Sequence, residues 1–139
     1  MDNYLDSFIR VAADCPATVG RAPSAGRSNK TIPQLEYELL ANAPHKLTQP
    51  ELLFAVHVLR LGISQQELKS QRKQLWEEFF KKSRACLRAS MLPKKFGWGL
   101  HFNSAGKIRL VAVESDEYQE LANGVRTKTV LTAMRNRRG

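Results

Sequence analysis

The sequence predicts a single α+β domain: an antiparallel sheet of three to four strands packed on about three helices. Three observations carry this. The chain has 139 residues, 42% of them hydrophobic and 25% charged, which suits one globular domain with a core of its own. Three Ser/Thr-led helix starts follow one another between residues 31 and 82. Two alternating apolar runs then flank a glycine-containing turn at 103–107. No internal repeat and no linker divides the chain, so the domain is read as 1–139.

Residues 4–13 read as a strand, with Phe8, Ile9, Arg10 and Val11 in alternation. Residues 14–30 are rich in Pro, Gly, Ser and Ala and read as a long mobile loop. Thr31-x-x-Gln34, Thr48-x-x-Glu51 and Ser64-x-x-Glu67 are capping-box patterns, in which the hydroxyl accepts from the N3 amide while Glu or Gln reaches back. Pro44 is expected to end the first helix, and Gly62 to stop the second in a left-handed turn. The third is expected to run to about Lys82, with Leu68, Leu75, Trp76, Phe79 and Phe80 on one stripe.

Phe96, Trp98, Leu100 and Phe102 alternate with Gly97, Gly99 and His101; Ile108, Leu110 and Ala112 alternate with Lys107, Arg109, Val111 and Val113. A three-residue loop, Ser104-Ala105-Gly106, pairs Phe102 with Ile108 and Leu100 with Leu110, whereas a four-residue loop would mix apolar and charged faces. The chosen register sets His101 opposite Arg109, beside two glycines that leave room for a backbone or a ligand. Ser115 caps a short acidic helix over 116–122, a last strand is expected near 125–131, and a basic tail occupies 132–139.

The net charge is +9, and it is local. Residues 80–113 hold eight basic side chains and no acid; residues 121–139 hold five and no acid; the four acids of 114–120 stand between them. Such a field attracts anionic ligands, acidic partners or nucleic acid, and it also serves plain solubility. The N-terminal residues show no signal peptide, and the most apolar run, Leu52–Ile63, is short and contains His57 and Arg60. Two cysteines are too few for a disulfide scaffold. A cytoplasmic location without membrane contact is the expectation.

The segments NYLDSFIRVAADCP, KTIPQLEYELL and CLRASMLPKKFGWGLHF resemble a small bacterial family described only as a domain of unknown function, over most of the chain. The run Lys94 to His101 is the densest part of the match; Met91 stands where the family usually has proline, and Pro33 where it has a small residue. The resemblance implies no activity, cofactor or catalytic residue.

The residues themselves offer one leading constellation. Arg88, Lys94, Lys95, His101 and Arg109 gather in sequence around Trp98. Arginine forks bind carboxylates and phosphates in bidentate fashion, lysine adds point charge, and histidine adds a pH-sensitive donor. The bland account makes Trp98 core and the cations solvated. Cys86 is a weaker candidate: Arg88 nearby could lower a thiol pKa, and His57 or His101 could serve as base, yet a buried cysteine is commonly just a small apolar residue. His45, His57, His101, Cys15 and Cys86 show no metal-ligand spacing, so no metal and no cofactor are expected. Residues 49–82 imitate a helix-turn-helix, but Val58 stands where close crossing needs a small residue and Gln71 where an apolar anchor belongs. The expected function is therefore a small soluble binding protein holding an anionic ligand or partner on a basic β-hairpin. The alternatives are an enzyme using the Cys86 thiol, or a non-specific nucleic-acid binder through 80–113 and Arg135, Arg137 and Arg138.

Overall fold

The computed structural model describes residues 1–24 and 29–137. Residues 25–28 of the predicted loop, and Arg138 and Gly139 of the predicted tail, lie outside the described residues. The elements in chain order are β1 (Ser7–Arg10), α1 (Ile32–Asn42), α2 (Gln49–Leu61), α3 (Gln65–Phe80), a 3-10 turn (Leu87–Ala89), α4 (Met91–Lys95), β2 (Trp98–Phe102), β3 (Ile108–Ala112), α5 (Asp116–Ala122) and β4 (Thr129–Thr132).

The α+β class holds, but the sheet is mixed rather than antiparallel. Its order is β3-β2-β1-β4, with β1 antiparallel to β2 and parallel to β4. The reason lies in α5. A helix between β3 and β4 carries the chain back, so β4 enters in the direction of β3, and of β1. β4 then fills the free edge of β1, pairing Ser7 with Thr129 and Arg10 with Thr132.

The hairpin takes the register expected from alternation. Phe102 faces Ile108, Leu100 faces Leu110 and His101 faces Arg109. Gly106 sits at φ +75°, and the Asn103 carboxamide accepts from the Ala105 and Lys107 amides. The caps follow as well: Thr31, Thr48, Ser64 and Ser115 each accept from the amide three residues on. Gly62 closes α2 at φ +64°. α3 departs from helical geometry at Gln71 (φ −126°, ψ 20°), a break with no proline or glycine to cause it. α4 has no counterpart in the sequence reading because Pro93 lies inside it. Ser90 caps this helix, so Pro93 falls in the first turn, where a missing N–H costs little.

Two cores sandwich the sheet. Ile9, Leu100, Phe102 and Ile108 face α1, α2 and α4, which contribute Leu35, Leu40, Leu52 and Leu92. On the other face Phe8 and Val111 lie under Tyr118 and Leu121 of α5. A satellite cluster of Phe54, Val58 and Phe79 joins α2 to α3. Among the described residues no helix is long and apolar enough to cross a membrane.

Gly97 precedes β2 at φ +81° rather than lying in the strand, and the room left by Gly97 and Gly99 is filled from within. A Cβ on Gly99 would run into the Phe8 ring and lie 2.9 Å from Tyr118. At Gly97 it would lie 2.5 Å from the Val19 carbonyl oxygen, because loop residues 17–21 pack there. The Arg21 amide donates to the Phe96 carbonyl at 2.9 Å, fixing that loop to the start of the hairpin.

Gly62 and Gly97 provide a matched test. Both have positive φ, but a methyl on Gly62 meets nothing within 4 Å. Gly62→Ala should cost about 1 kcal/mol of backbone strain. Gly97→Ala should cost a further ~1–3 kcal/mol for the Val19 contact. Equal costs in urea denaturation would mean that the loop is not seated on Gly97.

Candidate functional site

Of the residues singled out by charge, the structure sets His101 opposite Arg109 and places the others on other elements. Arg88, on the 3-10 turn, donates from Nε to the Thr132 carbonyl at 2.9 Å and so fastens the end of β4. Lys94 and Lys95 form the last turn of α4, and the Lys95 ammonium stands 5.8 Å from the Phe96 ring centre. Trp98 donates to the Arg21 carbonyl at 2.8 Å and packs on Tyr37 at 5.5 Å. His101 and Arg109 alternate to the other face. There Arg109 meets Glu117 of α5 at 2.6 Å, and Glu117 also meets Arg126 at 3.1 Å. His101 Nδ1 lies 3.3 Å from His45 Nε2, one ring donating to the other. Burial, with Arg109 nearby, lowers the pKa of both histidines below the usual imidazole value; His45 adds to this at His101. His45 lies far from the hairpin in sequence, and Glu117 lies in the short acidic helix just after it; no local pattern announces that either meets the hairpin.

A different group of residues lines an apolar cleft. It begins with α1, where Ile32, Glu36 and Leu40 recur at helical spacing, so that Glu36 points inward with its apolar neighbours. Glu36 is only 3% exposed. Opposite α1 runs the irregular segment after α3. Two contacts set its path. Arg84 Nε donates to the Phe79 carbonyl at 2.9 Å while its guanidinium lies 3.9 Å from the Phe79 ring centre. Buried Gln49 accepts from the Leu87 amide at 2.7 Å and donates to the Asp2 carbonyl at 2.9 Å. The segment thereby presents Cys86, Ala89, Ser90 and Met91 to α1.

Between them is a cavity of about 380 Å³, walled by Ile32, Pro33, Leu53, Leu87 and Met91 together with Glu36, Cys86 and Ser90. A second cavity of about 180 Å³ adjoins it, sharing Ile32, Glu36, Leu53 and Ala85, and adds His57, Arg60, Phe79 and Arg84. Glu36 thus stands where an apolar chamber meets a cationic one.

Ser90 donates to Glu36 Oε1 at 2.8 Å. No Lys or Arg among the described residues pairs with that carboxylate. Burial therefore dominates and pushes its pKa up to about 7, against the pull of the Ser90 hydroxyl. Near neutral pH the group can donate or accept a proton. Burial, then Arg84 and Arg60, hold the His57 imidazole below its usual pKa.

Cys86 and Cys15 are free thiols, both half-buried. Cys86 also lines a third cavity of about 330 Å³ with Tyr4, Gln49 and Arg84. Burial and the hydrogen bond to Cys86 push the Tyr4 phenol up to about 12. Among the described residues no group of three or more His, Cys, Asp and Glu is placed to hold a metal ion.

A family model described as a family of unknown function (DUF6157) matches residues 1–139. No curated protein and no solved structure matches the chain.

The Glu36 environment has a measurable cost. Its folded pKa lies above the ordinary 4.5, so between pH 4.5 and about 7 the folded state retains a proton that the unfolded chain releases. Stability at this site falls as pH rises through that window and stays low above it. Glu36→Gln removes the titration. The stability of the variant relative to the parent should grow by roughly 2–3 kcal/mol between pH 5 and pH 8. A pH-independent difference in thermal or urea unfolding would show that Glu36 is not held in an uncompensated burial.

Proposed function

Because the chain belongs to that family of unknown function along its whole length, and takes no activity from it, we propose a function from the cleft: this is a small-molecule-binding protein whose ligand lodges against Glu36. The observation that carries the reading is a buried carboxyl with no cation partner, opening on an apolar cavity of about 380 Å³. Sites for small molecules commonly have volumes of about 300–1,000 Å³, apolar walls and a few convergent polar groups. Glu36, Ser90 and Cys86 are such groups here. The hairpin surface supports the reading less well, since Arg109 is engaged by Glu117.

Binding of N-phenyl-1-naphthylamine, a neutral apolar fluorophore, tests this. One dye per chain should bind with enhanced emission. Ala89→Trp, which fills the cavity from the 3-10 turn, should abolish the signal without lowering the melting temperature. No binding by the parent, or equal binding by the folded variant, would refute the proposal.

A thiol reaction at Cys86 is the second reading. It is favoured by the position of Cys86 in the walls of two cavities. Iodoacetamide should then label Cys86 at pH 7 faster than a free cysteine, and bound dye should protect it. Labelling slower than a free thiol excludes this chemistry.

A further inference from the structure

We propose that the ligand of this cleft is an amphipathic organic anion, its apolar body in the chamber of Leu53 and Met91 and its anionic head at Arg60, Arg84 and His57. The inference rests on the cleft being a ligand site and adds the chemical class. Its basis is the asymmetry of the two joined chambers. The larger one is walled almost wholly by aliphatic side chains. The smaller one gathers two arginines and a histidine around the same Glu36.

Among the described residues neither Arg60 nor Arg84 forms an ion pair with a carboxylate. Arg84 uses Nε on the Phe79 carbonyl and lays its guanidinium plane over the Phe79 ring, which holds the fork in place while leaving its terminal nitrogens for another acceptor. Arg60 lies in the last turn of α2. The field of both is felt at His57. This contrasts with Arg109 and Arg126, which share Glu117.

A carboxylate or similar head on these groups would place negative charge near Glu36. Glu36 then favours its neutral, proton-donating form, so binding takes up a proton. Ser90 donates to the Glu36 oxygen, and the other titratable or charged groups lining the two cavities with Glu36 are His57 and Arg60 from α2 and Arg84 and Cys86 from the segment after α3. Affinity should therefore fall as pH rises from 6 to 8. An anionic head also favours protonated His57, whose pKa burial, Arg84 and Arg60 hold down in the free protein, so His57 adds a fall of the same sign.

Calorimetry with three probes of equal length, octanoate, octanol and octylamine, separates the possibilities. Octanoate should bind at least tenfold tighter than octanol, and octylamine weakest, in line with charge-assisted hydrogen bonding. Arg60→Gln and Arg84→Gln should each weaken octanoate about tenfold and leave octanol unchanged. Arg60 contributes no contact to the core, so its variant keeps the test valid if Arg84→Gln unfolds. Glu36→Gln should reduce the loss of octanoate affinity between pH 6 and pH 8, and an unchanged loss would show that Glu36 takes up no proton on binding. If octanoate and octanol bind equally at the cleft, the anionic class is wrong while the cleft stands. Preference for octylamine overturns the class too, and assigns the recognition to the Glu36 carboxylate. If no probe binds and the naphthylamine dye also fails, the cleft itself is not a ligand site.

Discussion

Phe8 and Ile9 point to opposite faces of the sheet, and neither reaches solvent. Strand β1 is thus buried on both sides and flanked on both edges, by β2 and β4. Much else follows from enclosing it. Ile9 needs the layer made by α1, α2 and α4; Phe8 needs α5. The Phe8 ring in turn needs the absent side chain at Gly99. The Tyr118 hydroxyl accepts from the Val11 amide at 2.9 Å, tying the covering helix to the strand it covers.

The same layer of helices makes the cleft. α1 and α2 pack on the sheet through Leu35, Leu40 and Leu52, while the chain from 84 to 90 crosses them with only a single 3-10 turn. An irregular segment cannot pack as densely as a helix, and the Glu36 chamber is left beside it. Burying a carboxyl there is unfavourable for its charged form, and a single serine hydroxyl offsets only part of that. A fold optimised for stability alone would place an apolar side chain at Glu36. The retained carboxyl is the reason to read the chamber as a site rather than as a packing fault.

Much of the fold was legible in the residues. The hairpin register followed from alternation plus Gly106, because a one-residue slip would turn Phe102 and Leu100 to the wrong face. The helix starts followed from local side-chain-to-amide hydrogen bonds, which need no tertiary knowledge. The parallel pairing of β4 did not, since a short strand with partly exposed residues carries no signal of its direction. Pro93 concealed α4. For the site, the acid-free stretch 80–113 did contain Arg84 and Cys86, but charge counting cannot tell an arginine already engaged from one left open. Charge patterning singles out Arg109 and not Arg84, yet Arg109 is engaged by Glu117 while Arg84 forms no ion pair among the described residues. Glu36 gave no warning, because an acid in an amphipathic helix ordinarily faces water.

The pairing of β1 with β4 joins segments from near the two ends of the chain, and the Asp14 carboxylate reinforces it by accepting from the Asn136 and Arg137 amides. During synthesis, β1 emerges before any of its partners. Its first edge can close when β2 appears, but the second stays open until residues 129–132 have been made. The centre of the sheet is therefore completed late, once the chain that follows β3 has brought β4 to the open edge of β1. Until then an apolar strand presents an unpaired edge, which a neighbouring copy could fill in place of β4. The topology makes the final stage of folding the one most exposed to strand exchange between molecules.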